Sequence, residues 1–172
     1  MPPDLVQIRK MAKEKEGENW RFRQFLKNDC TLESEGLDRR VHEITQRVWA
    51  GINCTECANC CREVHPTFHE DDLVRLGRRL GVEREELIEK YLEPTDQFCD
   101  APWQTRSLPC PFLQQNRCSI YEDRPSDCRG YPYLDQPDFI GRTISMLGRV
   151  STCPIVYEVV EELKESLRFR RR

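Results

Sequence analysis

The sequence predicts a mainly α protein: a small helical frame carrying a long irregular loop region, with few or no strands. Three observations carry this. Apolar residues recur at helical spacing near both ends of the chain. Six prolines between Thr95 and Gly148 prevent long regular elements in the middle. Ten cysteines stand in a chain of 172 residues that is only 38% hydrophobic and 33% charged, with a mean hydropathy of -0.74. The apolar core is thin, and cysteine cross-links or bound metal must add folding free energy that burial does not. The loop region is therefore expected to be metal-stapled.

Helical periodicity runs from about Leu5 to Leu26, with Trp20, Phe22, Phe25 and Leu26 as a late apolar face, and from Leu37 to Trp49 through Val41, Ile44 and Val48. Thr67 and Glu70 read as a capping box ahead of Leu73, Val74 and Leu76, and Gly81 is placed to end that helix. A short helix follows from Glu83 to Leu92, and Pro94 blocks its continuation. From Thr95 to Gly148 the chain reads as loop, with Pro102, Pro109, Pro111, Pro125, Pro132 and Pro137 as breakers. Pro154 suits a first helical position, and Ile155, Val156, Val159, Val160, Leu163 and Leu167 form an amphipathic stripe behind it. There is no internal repeat. The length argues for one globular unit, with 1–49 as a helical segment packed on a cysteine-cluster domain of 50–172.

The formal charge of -3 gives no basic field of the kind that neutralises a phosphate backbone, so nucleic acid is not an expected partner. The one basic run, Arg168, Arg170, Arg171 and Arg172, reads as a solvated end. No segment has the apolar core of a secretory signal or the length of a membrane span, so the expected location is cytoplasmic, with no membrane partner. In a reducing compartment, closely spaced cysteines are metal ligands or redox groups more often than disulfides.

Cys54, Cys57, Cys60 and Cys61 place four thiols in eight residues, a C-x2-C-x2-C-C pattern. Two cysteines separated by two residues can turn both sulfurs toward one cation, and Thr55, Ala58 and Asn59 permit the tight turns this needs. Side chains of the neighbours Cys60 and Cys61 diverge, which suits two metal centres or two edges of one cluster. Cys110, Cys118, Cys128 and Cys153 follow on loop or helix-start positions. Eight such thiols match two tetrahedral four-cysteine sites, or one iron-sulfur cluster with additional thiols. Four thiolates leave a net -2 around a divalent ion, so cations should stand nearby. Arg62, Arg117 and Arg129 each adjoin a cysteine and Arg124 precedes Cys128 by four, where guanidinium groups can donate to sulfur.

The octad, Pro109-Cys110-Pro-Phe-Leu113, the block from Cys118 to Pro125 and Cys128-Arg-Gly-Tyr-Pro132 together resemble the YkgJ-type cysteine cluster family, a CxxCxxCC domain described as zinc- or iron-chelating. The resemblance spans roughly residues 50 to 163. It implies metal binding by Cys54, Cys57, Cys60, Cys61, Cys110, Cys118 and Cys128, with Cys153 as the last ligand. It brings no reaction. The expected cofactor is zinc, as two ions, or iron, alone or as an iron-sulfur cluster, because soft thiolates take either metal.

Other candidates are weaker. His65 and His69 are four apart, but Pro66 breaks a shared helix, so surface or capping roles are expected. Cys30 and Cys99 lie outside the motifs and read as free buried thiols. Pro125 can start a short helix that aims Cys128 inward, and Tyr131 and Tyr133 can cover the site. Two function classes follow. One is a noncatalytic metal-binding protein whose metal is mainly structural, with helices available to a protein partner. The other is an iron-sulfur redox protein or metalloenzyme; no serine triad, phosphate loop or dinucleotide fingerprint supports it.

Overall fold

The computed structural model describes residues 4–96 and 99–169; Arg170, Arg171 and Arg172 lie outside the described residues. In chain order the elements are helices α1 (Leu5–Glu14), α2 (Glu16–Asn28), α3 (Ser34–Gly51), α4 (Cys54–Cys57) and α5 (Cys60–Glu63), strand β1 (Thr67–Phe68), helices α6 (Glu70–Leu80) and α7 (Arg84–Tyr91), strands β2 (Leu92–Pro94), β3 (Trp103–Thr105), β4 (Leu113–Gln114) and β5 (Arg117–Cys118), a 3-10 turn at Tyr121–Asp123, and helices α8 (Ser126–Gly130), α9 (Phe139–Arg149) and α10 (Pro154–Ser166). The fold is mainly α with only short strand pairs. It divides into two compact units, Met1–Asn53 with Pro132–Arg172, and Cys54–Tyr131.

The first unit is a helical bundle in which α10 packs on α1, α3 and α9, and α9 also packs on α2 and α3. The periodic residues read from sequence are its core: Phe22, Leu37, Val41, Ile44, Ile155, Val159 and Leu163 are all buried. The single helix expected from Leu5 to Leu26 is broken at Lys15, whose φ of -95° and ψ of 7° end α1 and start α2. Gly17 weakens the segment locally. The ammonium of Lys15 pairs with Glu161 of α10 and lies 5.6 Å from the Tyr157 ring centre, contacts that no local pattern encodes. Beside it Lys164, 1% exposed, is held by Glu18 at 2.7 Å and Glu161 at 2.6 Å, as a buried ammonium requires.

Helix α9 corrects the expectation that the chain is irregular as far as Gly148. Pro137 is the last proline before Pro154, and Phe139, Thr143 and Met146 form a buried stripe between them. Its start is built from two sides. Asp138, at φ 58°, accepts from Gly141 N at 3.1 Å, and a Cβ on Gly141 would collide with that carboxylate. Asp38 of α3 accepts from Asp138 N at 2.8 Å and Phe139 N at 2.9 Å, satisfying amides that a helix start leaves without partners. Pro154 opens α10 as expected.

In the second unit β3 lies between β1 and β2, both antiparallel to it, with Phe68 opposite Trp103 and Leu92 opposite Thr105. β4 and β5 form a hairpin through Gln115 and Asn116, at φ 48° and 65°, the left-handed pair that two-residue hairpins require. Phe68, Leu73, Leu76, Leu87, Leu92, Cys110, Phe112 and Ile120 make the core. Gly81, at φ 68°, ends α6 as expected. The helix starts two residues later than the Thr67 capping box predicted: Thr67 is in β1, His69 is the cap, and Asp72 accepts from His69 N at 3.0 Å.

Candidate metal centre

The octad folds as two single helical turns. α4 carries Cys54 and Cys57, three apart and so one turn on the same side. Ala58 then takes φ 50°, which redirects the chain before Asn59 and α5. A small side chain meets that conformation at least steric cost after glycine and asparagine, and Ala58 is buried. The carbonyl of Asn59 accepts from Arg62 N at 2.9 Å and Glu63 N at 3.1 Å, closing α5 around Cys60 and Cys61.

Three further stretches converge on this pair of turns. Cys110 N donates to Cys61 O at 2.7 Å, a backbone tie between the octad and the Pro-Cys-Pro segment. The β4 and β5 hairpin turns the chain back so that Cys118 faces Leu113 across the ladder; α4 contacts β5, and Cys61 and Cys118 both pack against the core that contains Cys110. α8 carries Cys128 and starts at Ser126, with Pro125 as the extended cap ahead of it rather than as its first helical residue. It is anchored at both its first residues: Ser126 donates to Asp72, and Asp127 accepts from Thr67 N at 2.9 Å.

No disulfide joins any of the ten cysteines. Burial pushes Cys110 up to about 11 and Cys128 further above the usual thiol range, and it also raises Cys54, Cys57 and Cys118. Cys61 goes the other way, to about 7, because the Cys60 thiol hydrogen-bonds it and Arg62 stands close, which together outweigh its burial; the two neighbouring thiols thus meet, which corrects the expectation that they diverge. The charge of Cys61 bears on Cys54, Cys57, Cys110, Cys118 and Cys128 alike. It is the electrostatic centre of thiols drawn from four separate stretches. Among the described residues, no three histidine, cysteine, aspartate or glutamate side chains are already closed tightly enough to hold an ion.

Of the arginines, Arg62 donates to Cys57 O at 3.0 Å and to Asn116, and its charge lowers Cys57 and Cys61. The charge of Arg124 partly offsets the rise that burial causes in Cys54 and Cys118. Arg129 instead donates to the carbonyls of Arg124 at 3.0 Å and Glu122 at 2.5 Å, bracing the loop, and Arg117 pairs with Gln114 in the hairpin, itself exposed. His69 caps α6, the capping role expected, whereas His65 is half-buried with Nδ1 2.6 Å from Thr105 O rather than at the surface. Cys153 belongs to the first unit, where it is buried and precedes α10. Cys30 is half-buried, and Cys99 is exposed rather than buried, because its loop segment carries it to the surface. Asp72 is the important residue that motif reading missed. Its signal was an aspartate three residues after His69, where a helix start has free amides.

A helical protein whose cysteine-rich unit gathers thiols with guanidinium groups beside them is a cysteine-cluster protein. The chain belongs to the CxxCxxCC family, whose model, described as "Putative zinc- or iron-chelating domain", matches residues 53–154, more than half of the sequence. No curated protein and no solved structure matches it. Among the described residues no helix is long and apolar enough to cross a membrane.

Proposed function

We propose that the unit Cys54–Tyr131 chelates zinc or iron through Cys54, Cys57, Cys60, Cys61, Cys110, Cys118 and Cys128, and that the metal chiefly staples that unit. The observation that supports this reading is the convergence on Cys61: Cys110 N donates to its carbonyl, Cys61 and Cys118 pack on the core that holds Cys110, and β5 contacts α4. The donor set fits: it is all sulfur, which soft or borderline cations select, and Arg62 and Arg124 supply positive charge against the -2 that four thiolates leave around a divalent ion. Bound metal would cross-link the stretches as a multi-armed disulfide would. The cysteines would contribute thiolate, so each protonated thiol must release its proton as it ligates. A reducing, cytoplasmic setting keeps these thiols available.

Metal analysis of protein purified without oxygen tests the reading. Zinc bound stoichiometrically in a colourless protein is the expected result. A brown protein absorbing in the visible would favour the iron-sulfur redox reading, and a folded, metal-free chain with oxidised cysteines would overturn chelation. Metal content of Cys153→Ser, compared with Cys118→Ser, decides whether Cys153 also contributes a ligand.

A further inference from the structure

Arg124 combines three properties that no other arginine beside the cysteines has. Its backbone is pinned: the carbonyl accepts from Arg75 Nη2 at 3.1 Å and from Arg129 Nε at 3.0 Å. Its guanidinium lies on the ring of Tyr121, 3.9 Å from the centre, a stack that fixes the plane of the fork. Its Nε is buried and has no hydrogen-bond acceptor among the described residues.

A buried donor without an acceptor costs roughly 1 to 3 kcal/mol, and the acceptor this one lacks is not far to seek. Arg124 lies between β5, whose Cys118 it follows by six residues, and α8, and β5 contacts α4, which carries Cys54; the charge of Arg124 acts on both thiols. A neutral thiol is a weak acceptor, whereas a metal-bound thiolate is a strong one. We propose that Arg124, clamped by Tyr121, donates its Nε–H to a metal-bound thiolate of Cys54 or Cys118 and thereby controls how long the metal is retained. This rests on the chelation reading of the same unit. Arg124 is a positioning residue, acting on the ligand and not on the metal. Outer hydrogen bonds of this type change metal affinity by about 10- to 100-fold.

The test loads reduced full-length protein with zinc alone and follows its transfer to a chromophoric chelator. Arg124→Gln should bind the same number of zinc ions as the wild type and release them about 10- to 100-fold faster. Arg124→Lys should release nearly as fast as Arg124→Gln, since an ammonium has the charge without the planar fork. Tyr121→Leu, which leaves the guanidinium in place but frees it, should give an intermediate rate, and adding it to Arg124→Gln should change nothing more. Wild-type release rates in Arg124→Gln, or full rescue by lysine, would overturn the proposal while leaving chelation standing. Failure of the wild type to bind zinc or iron would overturn chelation itself, and this inference with it.

Discussion

Asp72 and Ser126 are joined three times: the carboxylate accepts from Ser126 N at 3.1 Å, and the Ser126 hydroxyl lies 2.9 Å from Oδ1 and 3.1 Å from Oδ2. The same carboxylate, almost fully buried, also accepts from His69 N and from Arg75 Nη2, the latter at 2.6 Å. One side chain thus caps α6 on which it sits and holds the start of α8, two residues before Cys128.

Asp72→Ala should accordingly destabilise the second unit by about 2 to 4 kcal/mol, since hydrogen bonds to a charged group contribute about 1.5 to 3 each and buried donors are left behind. Ser126→Ala removes only the hydroxyl and should cost about 1 kcal/mol. Urea unfolding read by hydrogen exchange at residues 66–80 and 125–131 distinguishes the two. Equal small effects would show that Asp72 is not the brace.

The same residue sets a pH dependence. Burial pushes the Asp72 carboxyl up, but hydrogen bonds from His69 N, Arg75 and Ser126 outweigh it and hold the group below the usual carboxylate range. A folded-state pKa below the unfolded value of about 3.9 gives stability that is present above that value and lost as pH falls through the folded one. Wild-type stability should decline below about pH 4, and Asp72→Asn should be less stable at pH 7 with a shallower decline on acidification. Parallel curves for the two proteins would remove Asp72 from the linkage.

In the first unit, Lys164 shares Glu161 with Lys15. Burial raises the Glu161 carboxyl, while Lys15 and Lys164 outweigh it and keep it ionised. Glu161→Gln should cost about 3 to 5 kcal/mol, because it leaves buried ammonium charge under-compensated. Replacing the ammonium as well, in Lys164→Met with Glu161→Gln, should recover a large part of that loss. Thermal unfolding of the single and double variants checks it; additive losses would show the two residues are not coupled.

Metal removal should act unevenly. Structural zinc contributes on the order of 10 to 16 kcal/mol in small peptides, comparable to the roughly 5 to 15 kcal/mol of a whole domain. After chelation, hydrogen exchange should rise first across 54–131, while α1, α2 and α10, with their own apolar stripes, stay protected longer. Cys128→Ala should reproduce the pattern and Cys30→Ala should leave it unchanged. Uniform protection after complete metal removal would make the metal peripheral to folding.

Much of the fold was legible because its signals are local. The core faces of α3 and α10 follow from apolar spacing, Gly81 ends α6 because glycine enters the left-handed region freely, and Pro154 opens α10 because its missing amide is not needed there. The family was legible too, since the spacing of Cys54, Cys57, Cys60 and Cys61 with the later cysteine motifs is itself a linear pattern.

What composition and spacing could not decide are the pairings between residues far apart in the chain. Asp38 starts α9 from 100 residues away, Lys15 leaves the helix for a carboxylate 146 residues on, and Asp72 reaches Ser126 across 54. Cys61 is central only because the backbone tie to Cys110 and the hairpin at Cys118 return the chain to it. A helix stripe or a turn is written in neighbouring residues, whereas a buried charge is stable only where the folded chain brings its partner. Those positions belong to the tertiary structure alone.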